Sequence, residues 1–130
     1  MRIQVLCLCA LMAGACYGDE TVRAYGGADR IWHLVEMHGE ALDSEITLTF
    51  PETGRIAGQA PCNRYFASME VPYPWFEAGP IGSTRMACDD LALESTYLKA
   101  LGQAQLSEVL GNVLILSDDK APILVFNADG

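Results

Sequence analysis

Two cysteines set the tightest constraint on what this chain can fold into: Cys62, in the stretch PCNRYF, and Cys88, which closes STRMAC. The other three belong to the N-terminal leader or its edge. The chain begins MRIQVLCLCALMAGAC, in which Arg2 and the amino group make a short positive segment. Residues 3–13 are an apolar run, too short to cross a bilayer as a helix. Ala13-Gly14-Ala15 is the small-x-small pattern of a signal cleavage site, so residues 1–15 read as a signal peptide. Cys7 and Cys9 leave with it, and Cys16, if lipidated, is spoken for. An even pair then remains in an exported, oxidising setting, where a disulfide is the default. Closing that loop stabilises the fold by roughly 3.5 kcal/mol in the chain-entropy model. Unpaired structural thiols and a reactive or metal site are the weaker alternatives. Zinc wants four ligands at close spacing, and two distant cysteines with His33 and His38 lack it.

Cys16 is the first residue after the cleavage site. MAGAC resembles a bacterial lipobox, with Ala13 where leucine is commoner, so Cys16 is the candidate lipidation site and membrane anchor. A plain secretory signal would cut the same bond. Acyl chains contribute about 0.8 kcal/mol per buried methylene, enough for firm attachment when several are present. Residues 16–29 are polar and glycine-bearing and read as a tether. Loss of residues 1–15 removes one of eight basic residues and none of seventeen acids, leaving a net charge of −10. Such a domain repels nucleic acid and anionic lipid, which argues against DNA or RNA as a partner.

The remaining 115 residues are enough for one modest core. RIWHLVEMHG (30–39) reads as a first strand, with Trp32 and Leu34 on one face. EITLTF (45–50) alternates, with Ile46, Leu48 and Phe50 inward. PETG is a turn and RIAGQA (55–60) its return strand, so 45–60 reads as a hairpin; Ala57, Gly58 and Ala60 point to close packing or a bulge. Residues 67–80 carry three prolines and read as a surface loop or broken edge strand. PIGST gives a short strand and turn. DDLALESTYLKALGQA is the one helix, about 89–103. Asp89 or Asp90 caps it, Glu94 is an early acid favoured by the dipole, and Leu93, Tyr97, Ala100, Leu101 and Ala104 form the core stripe. QLSEVL, the Gly111-Asn112 turn, VLILS and ILVF make a three-stranded meander. The order predicts an α+β domain: an antiparallel sheet curled into a small, partly open barrel, with the helix covering it.

The motifs, in order, resemble a known family. Trp32-x-Leu34, Ile46-x-Leu48-x-Phe50, Gly58, Cys62-Asn63-Arg64-Tyr65, Ser83-Thr84-Arg85-Met86-Ala87-Cys88, a helix with Glu94 and GNVLIL are similar to the META domain, the HslJ-like heat-shock lipoprotein family. The resemblance covers residues 30–127; the proline-rich 71–80 segment departs from it. It implies a small, partly open barrel with one helix in an exported, often lipidated protein of the bacterial cell envelope, lipid-anchored and periplasm-facing. Some members are linked to heat shock, antibiotic tolerance or secretion. The resemblance brings no shared reaction, cofactor or catalytic set, and the expectation is a protein that is not an enzyme.

Candidate binding residues are therefore few. Tyr73, Trp75 and Phe76, on the proline-rich segment, are either a partner surface or a lid over one end of the core. Asn63 is a candidate turn residue or amide donor. Arg64 and Arg85 each lie near a cysteine; a Cys62–Cys88 bond would bring them together near Asp89 and Asp90, as an ion-pair cluster or a carboxylate clamp. No catalytic, metal or cofactor residue is assigned. Three functions follow as expectations: an envelope or stress-tolerance protein that binds an unidentified envelope partner, a carrier of a small apolar ligand, or an inhibitor of a secreted hydrolase such as a lysozyme.

Overall fold

The computed structural model describes residues 18–129. The segment expected to be a signal peptide, residues 1–15, and Cys16 lie outside them. Ten elements follow a one-turn 3-10 helix at Val22–Tyr25. They are β1 (Trp32–Met37), β2 (Glu40–Ala41), β3 (Thr47–Leu48), β4 (Arg55–Gln59), β5 (Arg64–Ser68), β6 (Gly82–Ser83), α1 (Leu91–Gln103), β7 (Leu106–Leu110), β8 (Val113–Ser117) and β9 (Pro122–Ala128).

The strands form two antiparallel sheets rather than one curled barrel. One runs β2-β1-β9-β8-β7, with β3 also paired to β1; the other is β4-β5-β6. Neither closes on itself. The expected 45–60 hairpin is reduced to one bridge, Thr49 to Ala57; at Thr47 side-chain bonds replace the ladder, with the Tyr65 hydroxyl donating to the Thr47 carbonyl and the Gln59 N–H to the Thr47 hydroxyl. The expected meander is present as β7, β8 and β9. Its first turn is Gly111-Asn112, between the partners Leu110 and Val113.

Alternation in β1 breaks at a bulge between Leu34 and Glu36. An extra residue there resets which side chains face in, so Trp32, Leu34 and Met37 are all buried. The strand stops at Met37 because His38 and Gly39 both take positive φ, 51° and 81°, and turn the chain into β2.

Helix α1 lies between the sheets. Tyr97, Ala100, Leu101 and Ala104 are buried as the spacing predicts, while Leu93 is only half-buried. The Tyr97 ring meets Tyr65 from one sheet edge-on at 5.5 Å and Phe126 from the other at 6.5 Å. Its hydroxyl lies 2.6 Å from that of Tyr65, which in turn donates to the Thr47 carbonyl at 2.6 Å. With the Tyr65 proton so committed, Tyr97 is the donor between the two rings. Gly58 makes room for this chain: a Cβ there would collide with the Thr47 carbonyl and the Tyr65 hydroxyl. Burial pushes the pKa of both tyrosines well above the ordinary value.

The described part of the expected tether is docked. Val22 is fully buried in the core, Trp32 donates from its indole to the Gly27 carbonyl at 3.0 Å, and Tyr25 stacks on Tyr73 at 4.7 Å. These few contacts, Val22 foremost, fix a segment that is otherwise polar and glycine-bearing, which is why composition alone reads it as a linker.

Candidate functional site

Cys62 and Cys88 are bonded, with their Cα atoms 5.6 Å apart. The bond ties the end of the β4–β5 turn to the segment that leads into α1. Asn63 finishes the job. Its side-chain amide donates to Glu94 Oε2 at 2.7 Å and to the Met86 carbonyl at 2.9 Å. Its oxygen accepts from the Thr84 hydroxyl at 2.9 Å and from the Met86 N–H at 2.6 Å. Two donors and two acceptor sites are all that an amide has, so Asn63 is saturated within the fold.

Glu94 is the residue that sequence reasoning missed. It is only 4 % exposed, although it is an acid on a helix. Its Oε1 accepts the backbone N–H groups of Cys62 and Asn63 at 3.0 and 2.8 Å. Two successive backbone amides aimed at one point make an anion site, and the chain fills it with its own carboxylate. The signal was present: Glu94 stands three residues before Tyr97 and seven before Leu101, on the face that Tyr97 and Leu101 bury.

The expected arginine cluster does not form. Arg64 and Arg85 are exposed, and among the described residues the arginine ion pairs are Arg23 with Asp19 and Arg55 with Glu52. The Thr84–Met86 turn is spent on Asn63, which leaves Arg85 and Met86 projecting; Met86 is 68 % exposed. They flank a shallow cavity of about 300 Å³ that Leu91 and Glu94 complete.

The three aromatic residues divide. Phe76 is core, at 2 % exposure, and is corrected from a surface candidate. Tyr73 is half-buried between Tyr25 and the N–H of Val109, which reaches its hydroxyl at 3.4 Å. Trp75 is 57 % exposed. Its backbone is nonetheless fixed. Trp75 bridges Leu106 in β7, the Ser107 N–H donates to the Pro74 carbonyl at 2.7 Å, and the Phe76 N–H donates to the Gln105 carbonyl at 2.8 Å. The segment is thus a fragment of edge strand, and Pro74, which has no N–H, needs only its carbonyl there.

A larger cavity of about 700 Å³ opens beside Trp75. One wall is Val71, Pro72, Trp75 and Glu77; the C-terminal end of α1 and the Asp118–Asp119 turn complete it. The two cavities lie at opposite ends of α1, because Leu91 lines one and Gly102 the other. Eleven residues at 1.5 Å each put about 17 Å between them along the axis. The six candidate binding residues therefore do not make one surface.

The two-sheet, one-helix arrangement and the bonded Cys62–Asn63 and Thr84–Cys88 corner lead directly to a family. The model of the META domain matches residues 28–130. The chain belongs to the META domain family. No curated protein sequence matches it. Among solved structures, this META-domain chain is similar to a protein from Burkholderia xenovorans determined by NMR. The TM-score is 0.65 and the identity 27%, over 83% of this chain and 87% of that one. A DUF4847 family protein from Bacteroides vulgatus shares the fold at a TM-score of 0.62 and 16% identity, over 82% and 96% of the two chains. A second NMR structure matches at 0.60 and 22% identity, over 75% and 87%.

Proposed function

We propose that this META-domain protein is exported to the bacterial cell envelope, anchored there through Cys16, and acts by binding a protein partner rather than by catalysing a reaction. The observation that carries the reading is Trp75: a large exposed indole on a backbone held by hydrogen bonds on both sides, at the rim of the larger cavity. A rigid aromatic beside a concave surface loses little entropy when it is covered, which is how binding anchors work. Asn63 is committed to Glu94, Thr84 and Met86, and Glu94 to Asn63 and the Cys62 N–H, so both serve the fold. A role in stress tolerance fits a domain stapled by a disulfide and a buried polar network. The carrier reading is weaker, because Trp32, Tyr65, Tyr97 and Phe126 fill the space between the sheets. A secreted hydrolase remains a partner of the proposed kind.

The test is photo-cross-linking in cells from a reactive residue at Gln103, in the wall of the larger cavity. The expected result is one defined protein adduct, lost in Trp75→Ala and kept in Arg85→Ala. An adduct indifferent to Trp75→Ala, in a protein that stays folded, would overturn the proposal.

A further inference from the structure

The chemistry of the larger cavity narrows what can enter it. Glu77, Asp118 and Asp119 supply three carboxylates to its lining, and no lysine or arginine is among the lining residues. Asp118 accepts the N–H groups of Lys120 and Ala121 at 2.8 and 2.9 Å. Those backbone donors hold its carboxyl below the usual carboxylate range, so it stays ionised. The cavity also receives the C-terminal end of α1, through Gly102, Gln103 and Ala104. That end carries the partial negative charge of the helix, and its last turn has no basic residue to answer it. Trp75 also lines the cavity, and the indole is the best aromatic partner for a cation. Carboxylates, a helix C-terminus and an indole thus all favour a cation.

We infer that the cavity beside Trp75 is a seat for a basic segment of the partner protein, with a lysine or arginine side chain entering between Trp75 and the Asp118–Asp119 turn. The inference rests on the binding reading above and names its chemistry. A peptide, rather than a small free cation, is indicated by the apolar rim, where Val71, Pro72 and the exposed Trp75 line the cavity beside Glu77. Leu106, opposite Trp75 across the bridge, is exposed as well. A lone ammonium ion would leave that rim uncovered, whereas a segment flanking a basic side chain would cover it. Lys120, next in the chain to Asp119, is the local competitor for the same carboxylates.

The experiment is an NMR titration of the mature protein, reading the Trp75 indole N–H against a blocked tetra-arginine peptide, with blocked tetra-glutamine as control. The expected result is a saturable shift with tetra-arginine only, weakened by added salt. Glu77→Gln combined with Asp119→Asn should lower the affinity about fivefold, since exposed pairs are each modest. Trp75→Leu, read at the backbone amides of Gln103 and Asp119 in the cavity lining, should lower it by about the same factor. Lys120→Gln should raise it. Asp118 is left intact because it holds its own turn. Equal shifts from tetra-glutamine, unchanged affinity in the double neutral variant, or shifts spread over the acidic surface that spare Trp75 would each overturn the inference. If the double neutral variant keeps the cellular cross-link while Trp75→Ala loses it, the binding reading stands and the cationic ligand is refuted. If both variants keep the link, the binding reading fails first.

Discussion

Replacing Glu94 with glutamine changes one atom and separates a structural carboxylate from an incidental one. In the native protein three donors point at it: the N–H groups of Cys62 and Asn63, and the Asn63 amide. Glutamine can keep its oxygen on the two backbone donors, but its amide then faces the amide of Asn63, donor against donor. Asn63 cannot rotate to relieve this, because its oxygen holds Thr84 and Met86. One charge-assisted bond is lost, worth about 1.5–3 kcal/mol, and two more become neutral and weaken. Relief of carboxylate desolvation offsets part of the loss. A net destabilisation of about 2 kcal/mol follows. With a urea slope near 2 kcal/mol per molar, the unfolding midpoint by circular dichroism falls by about 1 M. The Met86 amide, whose acceptor is the Asn63 side-chain oxygen 23 residues back in the chain, exchanges with solvent faster in the same variant. Asn63→Asp alone sets two carboxylates face to face and is worse. The double variant Asn63→Asp with Glu94→Gln restores a donor–acceptor pair, so its cost is less than the sum of the singles. A midpoint within about 0.2 M of wild type for Glu94→Gln, or strict additivity in the cycle, would refute the reasoning.

Three further outcomes are expected. Cys62→Ser with Cys88→Ser lowers stability by about 3.5 kcal/mol in the chain-entropy model, measured by the same urea titration, and wild type under reductant follows it; a loss under 1 kcal/mol contradicts the staple. Alkaline unfolding sets in above about pH 10: there the unfolded tyrosines lose protons that folded Tyr65 and Tyr97 retain, so stability is full below that pH and declines above it by up to about 1.4 kcal/mol per pH unit for each ring. Tyr97→Phe flattens that decline, and an unchanged slope counts against the buried pair. Gly58→Ala, which drives a methyl into the Thr47 carbonyl and the Tyr65 hydroxyl, destabilises by about 1–3 kcal/mol in thermal melts; a neutral effect would mean that the approach is looser than described.

Much of the fold was legible because periodicity records burial. Ile46, Leu48 and Phe50 alternate and are all buried, and the α1 stripe and the Gly111-Asn112 turn lie where spacing puts them. The failures share a cause: they depend on pairings between distant segments. β3 prefers β1 to the nearer β4, which splits the sheet. Val22 anchors a segment whose composition is that of a linker. At the site, the cysteine pair was readable, but the exposure of the aromatic segment was not: buried Phe76 and exposed Trp75 are not separable by type alone. Asp118 and Asp119 join Trp75 only because β7 places the end of α1 beside it, a fact of topology that no local pattern carries. Glu94 is the instructive case, since its place in the apolar stripe was a visible anomaly whose partner lies 31 residues away.

The proposed function requires an exported chain whose binding face is presented from a stapled, anchored domain. The most direct test is the intact mass of the mature protein taken from its native envelope, before and after reduction. The prediction is a chain beginning at Cys16 with a lipid adduct, gaining two hydrogens on reduction. A full-length or unlipidated chain with both thiols already free would contradict it, and would return Cys62 and Cys88 to the status of open thiols.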